Sequence, residues 1–400
     1  MPHRQLHPDS PWLLALLAAL VALGPLSVDM YLPAMPSMMR DFGTDISRMH
    51  LTLSSYLTGF ALFHLACGPL ADRFGRKPVL LGGTGLFVAA CIGCSLSGTV
   101  EELLLFRFLQ GIGACVGPTL ARAVARDIFG PGGAARALSL IAMLMALAPA
   151  IAPTLGGVLL LALPWPSVFI FLGIYGAAMI ALIRVFLPES LPEAQSLHPR
   201  AIARNYAELL ADPFFLTVTL TSGLVYSGLM VYLVSSSFIY IDMLGVPAQY
   251  FGLIFLGSVA GYMAGSALSA RLAKQRDSER IMRLGVILGM TAACLLLASS
   301  HTWPASVLAL MLPMMLYSIA MGLVLPHAMA IALRPFAHIA GTASALLGFI
   351  QMSLSAGSSA LAGLFLTTTP QPMVWMLLGI ASTSLALGLR AHGLYSRTKP

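Results

Sequence analysis

Gly68-Pro-Leu-Ala-Asp-Arg-Phe-Gly-Arg-Lys77 packs four charges and two glycines into ten residues. The stretches flanking its charged part, residues 49–71 and 78–100, contain no Asp, Glu, Lys or Arg. An apolar run of about 20 residues is the length of helix needed to cross about 30 Å of hydrocarbon. The segment therefore reads as a tight polar turn between two membrane helices. The same alternation, followed outward in both directions, decides the fold.

Across the 400 residues only 9% are Asp, Glu, Lys or Arg and 58% are hydrophobic, while a soluble chain carries about 25% charged residues. With a mean hydropathy of +0.87, most of the exterior must face lipid, which excludes a water-soluble globule. The net charge of +7 follows from basic loops on the inner side of a membrane and needs no nucleic-acid partner. All five cysteines (Cys67, Cys91, Cys94, Cys115, Cys294) fall in apolar segments. An odd count offers no disulfide framework, and the Cys91/Cys94 pair lacks the second ligand pair of a metal site. These read as small helix residues, with no metal and no cofactor expected.

Uncharged stretches place twelve helices at roughly 11–36, 48–71, 78–97, 101–124, 137–161, 165–187, 214–240, 247–271, 283–300, 304–328, 339–366 and 370–390. With both termini cytoplasmic, nineteen of the 22 basic residues fall on the inside, two (Arg40 and Arg48) outside, and Arg107 within a span. That asymmetry favours an even number of crossings. Arg4 ahead of the apolar run from Pro11 to Val28 has the outline of a signal peptide. The run is long for one, however, and ends at Asp29 rather than at a small-residue cleavage site. The longest polar stretch divides the spans six and six. The expected fold is an all-α membrane protein with an N-terminal six-helix bundle (1–187), a cytoplasmic linker (188–213) and a C-terminal six-helix bundle (214–400). The turn from Gly68 to Lys77 is weakly echoed from Gly265 to Lys274, as expected of repeated halves with a site between them.

Two side chains of fixed charge lie well inside spans, Asp29 and Arg107. Each costs about 2.5–3.5 kcal/mol at a helix centre, so function is their default reading. An acid in an apolar cavity can take up a proton that a nearby cation helps it release, so Asp29 can exchange a proton for a substrate. The alternative is an Asp29 near the outer interface that caps a broken helix at Asp29-Met-Tyr-Leu-Pro33. Arg107 shares a helix face with Gln110 and Gly111 and can hold a carboxylate, or a backbone carbonyl of a neighbouring helix. Its alternative is a structural pin.

The turn itself, through Gly68, Asp72, Arg73, Gly75, Arg76 and Lys77, reads as a conformational latch. Generic anchoring at the headgroups explains its bases but neither Asp72 nor the glycines. Pro149 and Pro153 followed by Gly156 and Gly157 read as a kinked, closely packed hinge. Asp29, Tyr31, Gln110, Tyr226, Tyr232 and Gln351 are the expected cavity lining, with Tyr56 a further candidate. His64 and His327 read either as part of a proton path or as hydrogen-bonded packing.

These motifs resemble the major facilitator superfamily, and within it the twelve-helix drug:proton antiporters. Gly68–Lys77 is similar to the signature between helices two and three. Arg107-Phe-Leu-Gln110-Gly111-Ile-Gly113 is similar to the fourth-helix arginine motif, which the family links to proton coupling. Pro149–Gly157 resembles the fifth-helix antiporter motif, with Ala148 where a glycine is usual. Asp29-Met-Tyr-Leu-Pro-Ala-Met-Pro36, Ala121–Asp127 and Leu333–Thr342 resemble the bicyclomycin and chloramphenicol resistance (Bcr/CflA) branch, whose first-helix acid takes part in proton and drug binding.

The resemblance implies a monomeric, multi-pass exporter of the bacterial inner membrane that alternates between inward-open and outward-open states. A proton enters as a small-molecule drug leaves, with membrane lipid as the other partner. Each charge crossing is worth about 2.3 kcal/mol per 100 mV, enough to concentrate a neutral solute about 50-fold. An exporter of a sugar or other metabolite is the alternative within transport. An enzyme would need paired carboxylates, a metal cluster or a nucleophile with its base, and Asp29 with Arg107 makes none of these.

Overall fold

The computed structural model describes the backbone of residues 11–191, 199–365 and 369–398, with side chains throughout except at 11, 130–150, 199, 201, 337–338 and 392–398. Every regular element among the described residues is helical: α1 (Pro11–Asp29), α2 (Met35–Asp41), α3 (Ile46–Phe74), α4 (Arg76–Leu96), α5 (Val100–Ala162), α6 (Pro166–Phe186), α7 (Pro199–Ala211), α8 (Pro213–Ser237), α9 (Ala248–Leu272), α10 (Ser278–Thr302), α11 (Val307–Leu333), α12 (Ala340–Phe365) and α13 (Gln371–Thr398). Eleven described helices are long and apolar enough to cross a membrane. A shorter apolar limb, Ile151–Ala162, lies within the fifth of the twelve expected spans.

Helix ends coincide with polar caps. Thr99 accepts from the Glu102 amide at 3.3 Å while Glu102 accepts from the Gly98 amide at 2.8 Å, a reciprocal arrangement that closes the start of α5. Asp212 accepts from the Phe215 amide at 2.6 Å, with Pro213 as the first residue of α8.

Contacts gather the chain into two compact units, Met1–Thr44 with Ser55–His198 and Asp45–Ser54 with Pro199–Pro400. In the first, α1 and α4 pack on α5 and α6 packs on α4. The sequence leads one to expect a break between the expected fourth and fifth spans; α5 keeps helical backbone from Val100 to Ala162 but is not one straight rod. Its packing shows that it doubles back. Gly117 abuts Leu20 of α1 and Gly156 abuts Met30 just past its end, ten residues along the chain and so within about 15 Å, whereas a straight helix from 117 to 156 would span about 60 Å. The limb Val100–Phe129 thus lies on α1 and the limb Ile151–Ala162 on the residues that follow it.

Close helix approach rests on glycine at a few positions. A Cβ added at Gly59 of α3 would fall on the Phe108 carbonyl, and one at Gly111 of α5 would fall on the Tyr56 carbonyl. In the second unit Gly261 and Gly265 of α9 meet the carbonyls of Met315 and Ile319 on α11 in the same way. Gly111→Ala places a methyl against backbone that has no rotamer to yield. The expected cost is about 1–3 kcal/mol, read as a lowered thermal midpoint of the purified protein. Gly68→Ala, which meets nothing within 4 Å, is expected to leave the midpoint unchanged.

Candidate functional site

The first helix breaks at Asp29. Beyond it come a bend at Met30 and Tyr31, a 3₁₀ turn at Leu32–Ala34 and the short α2. Pro33 and Pro36 withhold two amide donors from any continuous helix. Asp29 ends α1 buried, 4% exposed, and its carboxyl has no hydrogen bond or ion pair among the described residues. Gly156 of the second α5 limb sits against the Met30 carbonyl, so the expected hinge segment packs on the residue following Asp29. Pro153, Gly156 and Gly157 are buried; the side chain of Pro149 lies outside the described residues.

Arg107 is fully buried in the first unit. Its guanidinium lies 4.3 Å from the Tyr31 ring and 4.4 Å from the Tyr56 ring, with Phe169 at 6.0 Å. Such contacts are worth about 2 kcal/mol or more once desolvated. Nη1 donates to the Ser27 carbonyl at 3.2 Å and to Gln110 Oε1 at 2.5 Å, and Gln110 Nε2 in turn donates to Cys91 Sγ at 3.1 Å. Nε and Nη2 are buried without a hydrogen-bond partner among the described residues. Of the two expected partners for the arginine, the structure shows the backbone carbonyl. Asp29 and Arg107 make no ion pair; the guanidinium reaches α1 two residues short of the acid. Tyr56 is a candidate for the cavity lining from the sequence; Phe169 was not legible as part of this site, because an aromatic residue in an apolar span carries no mark of what it faces.

The expected cavity residues fall in different units. Asp29, Tyr31 and Gln110 belong to the first. In the second, Tyr232 is buried, hydrogen-bonded to Tyr240 at 3.1 Å and stacked near Phe255, while Tyr226 and Gln351 are half-buried. Two cavities, of about 450 and 320 Å³, both lie in the second unit, and none of these six residues lines them. The two histidines are hydrogen-bonded: His64 Nδ1 lies 3.4 Å from Thr119 Oγ1 and 3.6 Å from Cys115 Sγ, and His327 Nε2 lies 2.9 Å from Ser269 Oγ.

The turn between α3 and α4 is a network with two members that its own sequence does not contain. Arg76 bridges Asp72 at 2.6 Å and Asp127, at the far end of the first α5 limb, at 3.2 Å. Glu189, from the segment after α6, accepts from the amides of Arg76 and Lys77 at 2.9 and 3.1 Å. It thereby caps the start of α4, whose preceding residue, Gly75, has no side chain to do so. Lys77 Nζ donates to the carbonyls of Arg184 and Leu187 at 3.0 and 2.7 Å, closing the end of α6.

Gly75 is required twice over. Its φ is +98°, and a Cβ would press on the Glu189 carboxylate. Gly68 has open space around it, and Arg73 is exposed and outside the network. Exposed pairs of this kind contribute about 0–1 kcal/mol each, so it is their number that ties α3, α4, α5 and α6 at one end. In the weak echo of this turn, Ser269 stands where Asp72 does and bonds His327 instead.

Comparison with known proteins agrees with this geometry. The family model described as Major Facilitator Superfamily matches residues 17–359. The chain is 34% identical over 359 residues to the uncharacterized MFS-type transporter YdgK of Bacillus subtilis, covering 88% of this chain and 89% of that one. It is 32% identical over 334 residues to multidrug resistance protein MdtL of Escherichia coli K12, covering 84% of each. Among solved structures, a peptide transporter POT in complex with sulfate superposes with a TM-score of 0.79 at 15% identity, over 96% of this chain and 94% of that one. A D-xylose-proton symporter superposes at 0.72 and 15%, over 95% and 97%. At such identities the solved structures establish the fold.

Proposed function

The chain belongs to the Major Facilitator Superfamily, a family of membrane transporters, and from that premise we propose that it exports small-molecule drugs in exchange for protons across the bacterial inner membrane. Twelve crossings with both termini cytoplasmic and membership of the Bcr/CflA branch complete the reading. The first is supported by the eleven spans together with the limb Ile151–Ala162 and the distribution of basic residues, the second by the stretch Asp29–Pro36.

The observation that carries the proposal is Asp29, a buried carboxyl at a helix break with no basic partner among the described residues. A carboxylate so placed is costly, and protonation removes the cost. Loading and unloading of that proton is therefore coupled to whatever changes the water access or the partners of Asp29. Drug entry beside Tyr31 and Gln110 would do so. The Asp72–Arg76–Asp127–Glu189 network holds one end of the first unit, and release of such a latch accompanies alternation of access. The relative named as a multidrug resistance protein supports drugs as the cargo.

Expression in an efflux-deficient bacterial host is expected to raise resistance to several chemically unrelated drugs, and a protonophore to cancel the rise. In inside-out vesicles, adding an exported drug should discharge a preformed proton gradient. No resistance to any drug, combined with gradient discharge by a sugar or metabolite, would replace the drug reading with a physiological exporter.

A further inference from the structure

The end of α9, the turn after it and the start of α10 carry Arg271, Lys274, Arg276, Arg280 and Arg283 against only Asp277 and Glu279. Neither acid neutralises them well. Glu279 is turned inward, 3% exposed, and accepts from Arg334 at 2.9 Å. Asp277 lies 3.9 Å from Arg280, with both side chains more than half exposed. The side chains of Arg276 and Arg283 have no hydrogen bond or ion pair among the described residues. The first unit treats its bases differently: Arg76 is shared by two carboxylates and Lys77 by two carbonyls.

Arg276, Arg280 and Arg283 instead line one concavity of about 450 Å³, completed by Gln275 and Leu284. Three guanidiniums around one hollow repel one another, and a tetrahedral oxyanion relieves this while matching their planar forks. A second observation points to where that anion comes from. From Arg280 the exposed face of α10 continues at helical spacing through Leu284, Ile287, Thr291 and Leu295; the three apolar residues are 38%, 45% and 48% exposed, and Thr291 turns its hydroxyl back onto the Ile287 carbonyl at 3.0 Å. The cationic hollow thus heads an apolar stripe on a helix long enough to span a membrane.

We propose that this pocket seats the phosphate of an anionic phospholipid whose acyl chain lies along the Leu284–Ile287–Leu295 stripe. Basic pockets at the ends of membrane helices bind headgroups in this manner, and the stripe is what a free phosphate would leave unused. The inference stands independently of the transported substrate.

The test uses the purified full chain, delipidated in detergent and titrated with phosphatidylglycerol, phosphatidylcholine or inorganic phosphate, read by native mass spectrometry and thermal midpoint. Phosphatidylglycerol is expected to bind in preference to phosphatidylcholine. The double variant Arg276→Gln/Arg283→Gln should weaken that binding by roughly 30-fold, the headgroup attraction of two basic side chains. Leu284→Glu, which keeps every arginine, should weaken it as well, and both variants should melt like wild type without lipid. An equal loss in Arg271→Gln/Lys274→Gln, which removes two charges outside the pocket, would reduce the effect to general surface charge and overturn the proposal. Equal retention of phosphatidylcholine would also overturn it, as would inorganic phosphate protecting the protein as well as the lipid does.

Discussion

Asp29→Asn is expected to reduce proton-driven accumulation of an exported drug from about 50-fold per 100 mV of potential to no accumulation at all. Asparagine has the volume of aspartate but no proton to exchange, so the variant behaves as permanently neutral. Because the carboxyl makes no hydrogen bond or ion pair among the described residues, the substitution breaks none of these there, and the variant should fold and melt as wild type does. Drug should still bind and equilibrate in both directions without a gradient, while addition of drug to energised vesicles releases no protons. An Asp29→Asn variant that accumulates drug at the wild-type rate would remove Asp29 from the coupling step.

Arg107 carries the second large effect. Arg107→Ala removes the cation held between Tyr31 and Tyr56 and its bond to the Ser27 carbonyl, and leaves a void in the core of the first unit. Coupled accumulation should fall to the Asp29→Asn level, with a stability loss of about 2–5 kcal/mol as for a large-to-small core change. Two further variants separate the chemistry from the packing. Arg107→Met fills nearly the same volume without a buried charge, and an apolar replacement of this sort is often neutral or stabilising. It should melt near the wild-type temperature and still fail to couple. Arg107→Lys keeps the charge but loses the planar fork that stacks between two rings while donating to Ser27 and Gln110, so it should regain only a minor part of the activity. Wild-type accumulation by Arg107→Met would make the arginine a structural pin.

The two residues on which these predictions rest stand out in the bare chain because charge is scarce there. An ionised side chain is expensive in hydrocarbon wherever the surrounding run of residues is apolar, and that cost is a local property. Glu189 and Asp127 were not legible in the same way. They are 113 and 51 residues from Arg76, and each lies where an acid needs no explanation, at a membrane surface. Gly68 and Gly75 look alike on paper, yet only Gly75 has a left-handed backbone and a carboxylate pressed against it. The expected fourth and fifth spans show the reverse limit: Pro and Gly near residues 130–133 suggest a break, but the backbone keeps its helical form there and the change of direction is visible only in what the two limbs touch.

The apolar runs and the charges between them thus determine that the chain is a helical membrane protein, roughly where each helix starts and stops, and that Asp29 and Arg107 require a reason. Transfer into lipid is summed residue by residue along about twenty positions, so it can be read without knowing any neighbour across the fold. Tertiary structure alone decided that Arg107 is held by two tyrosines and a carbonyl, that Asp29 pairs with no cation among the described residues, that Glu189 caps α4 and that three arginines share one hollow. Those are questions of a few ångströms between side chains far apart in sequence, and only close packing of the helices sets such distances.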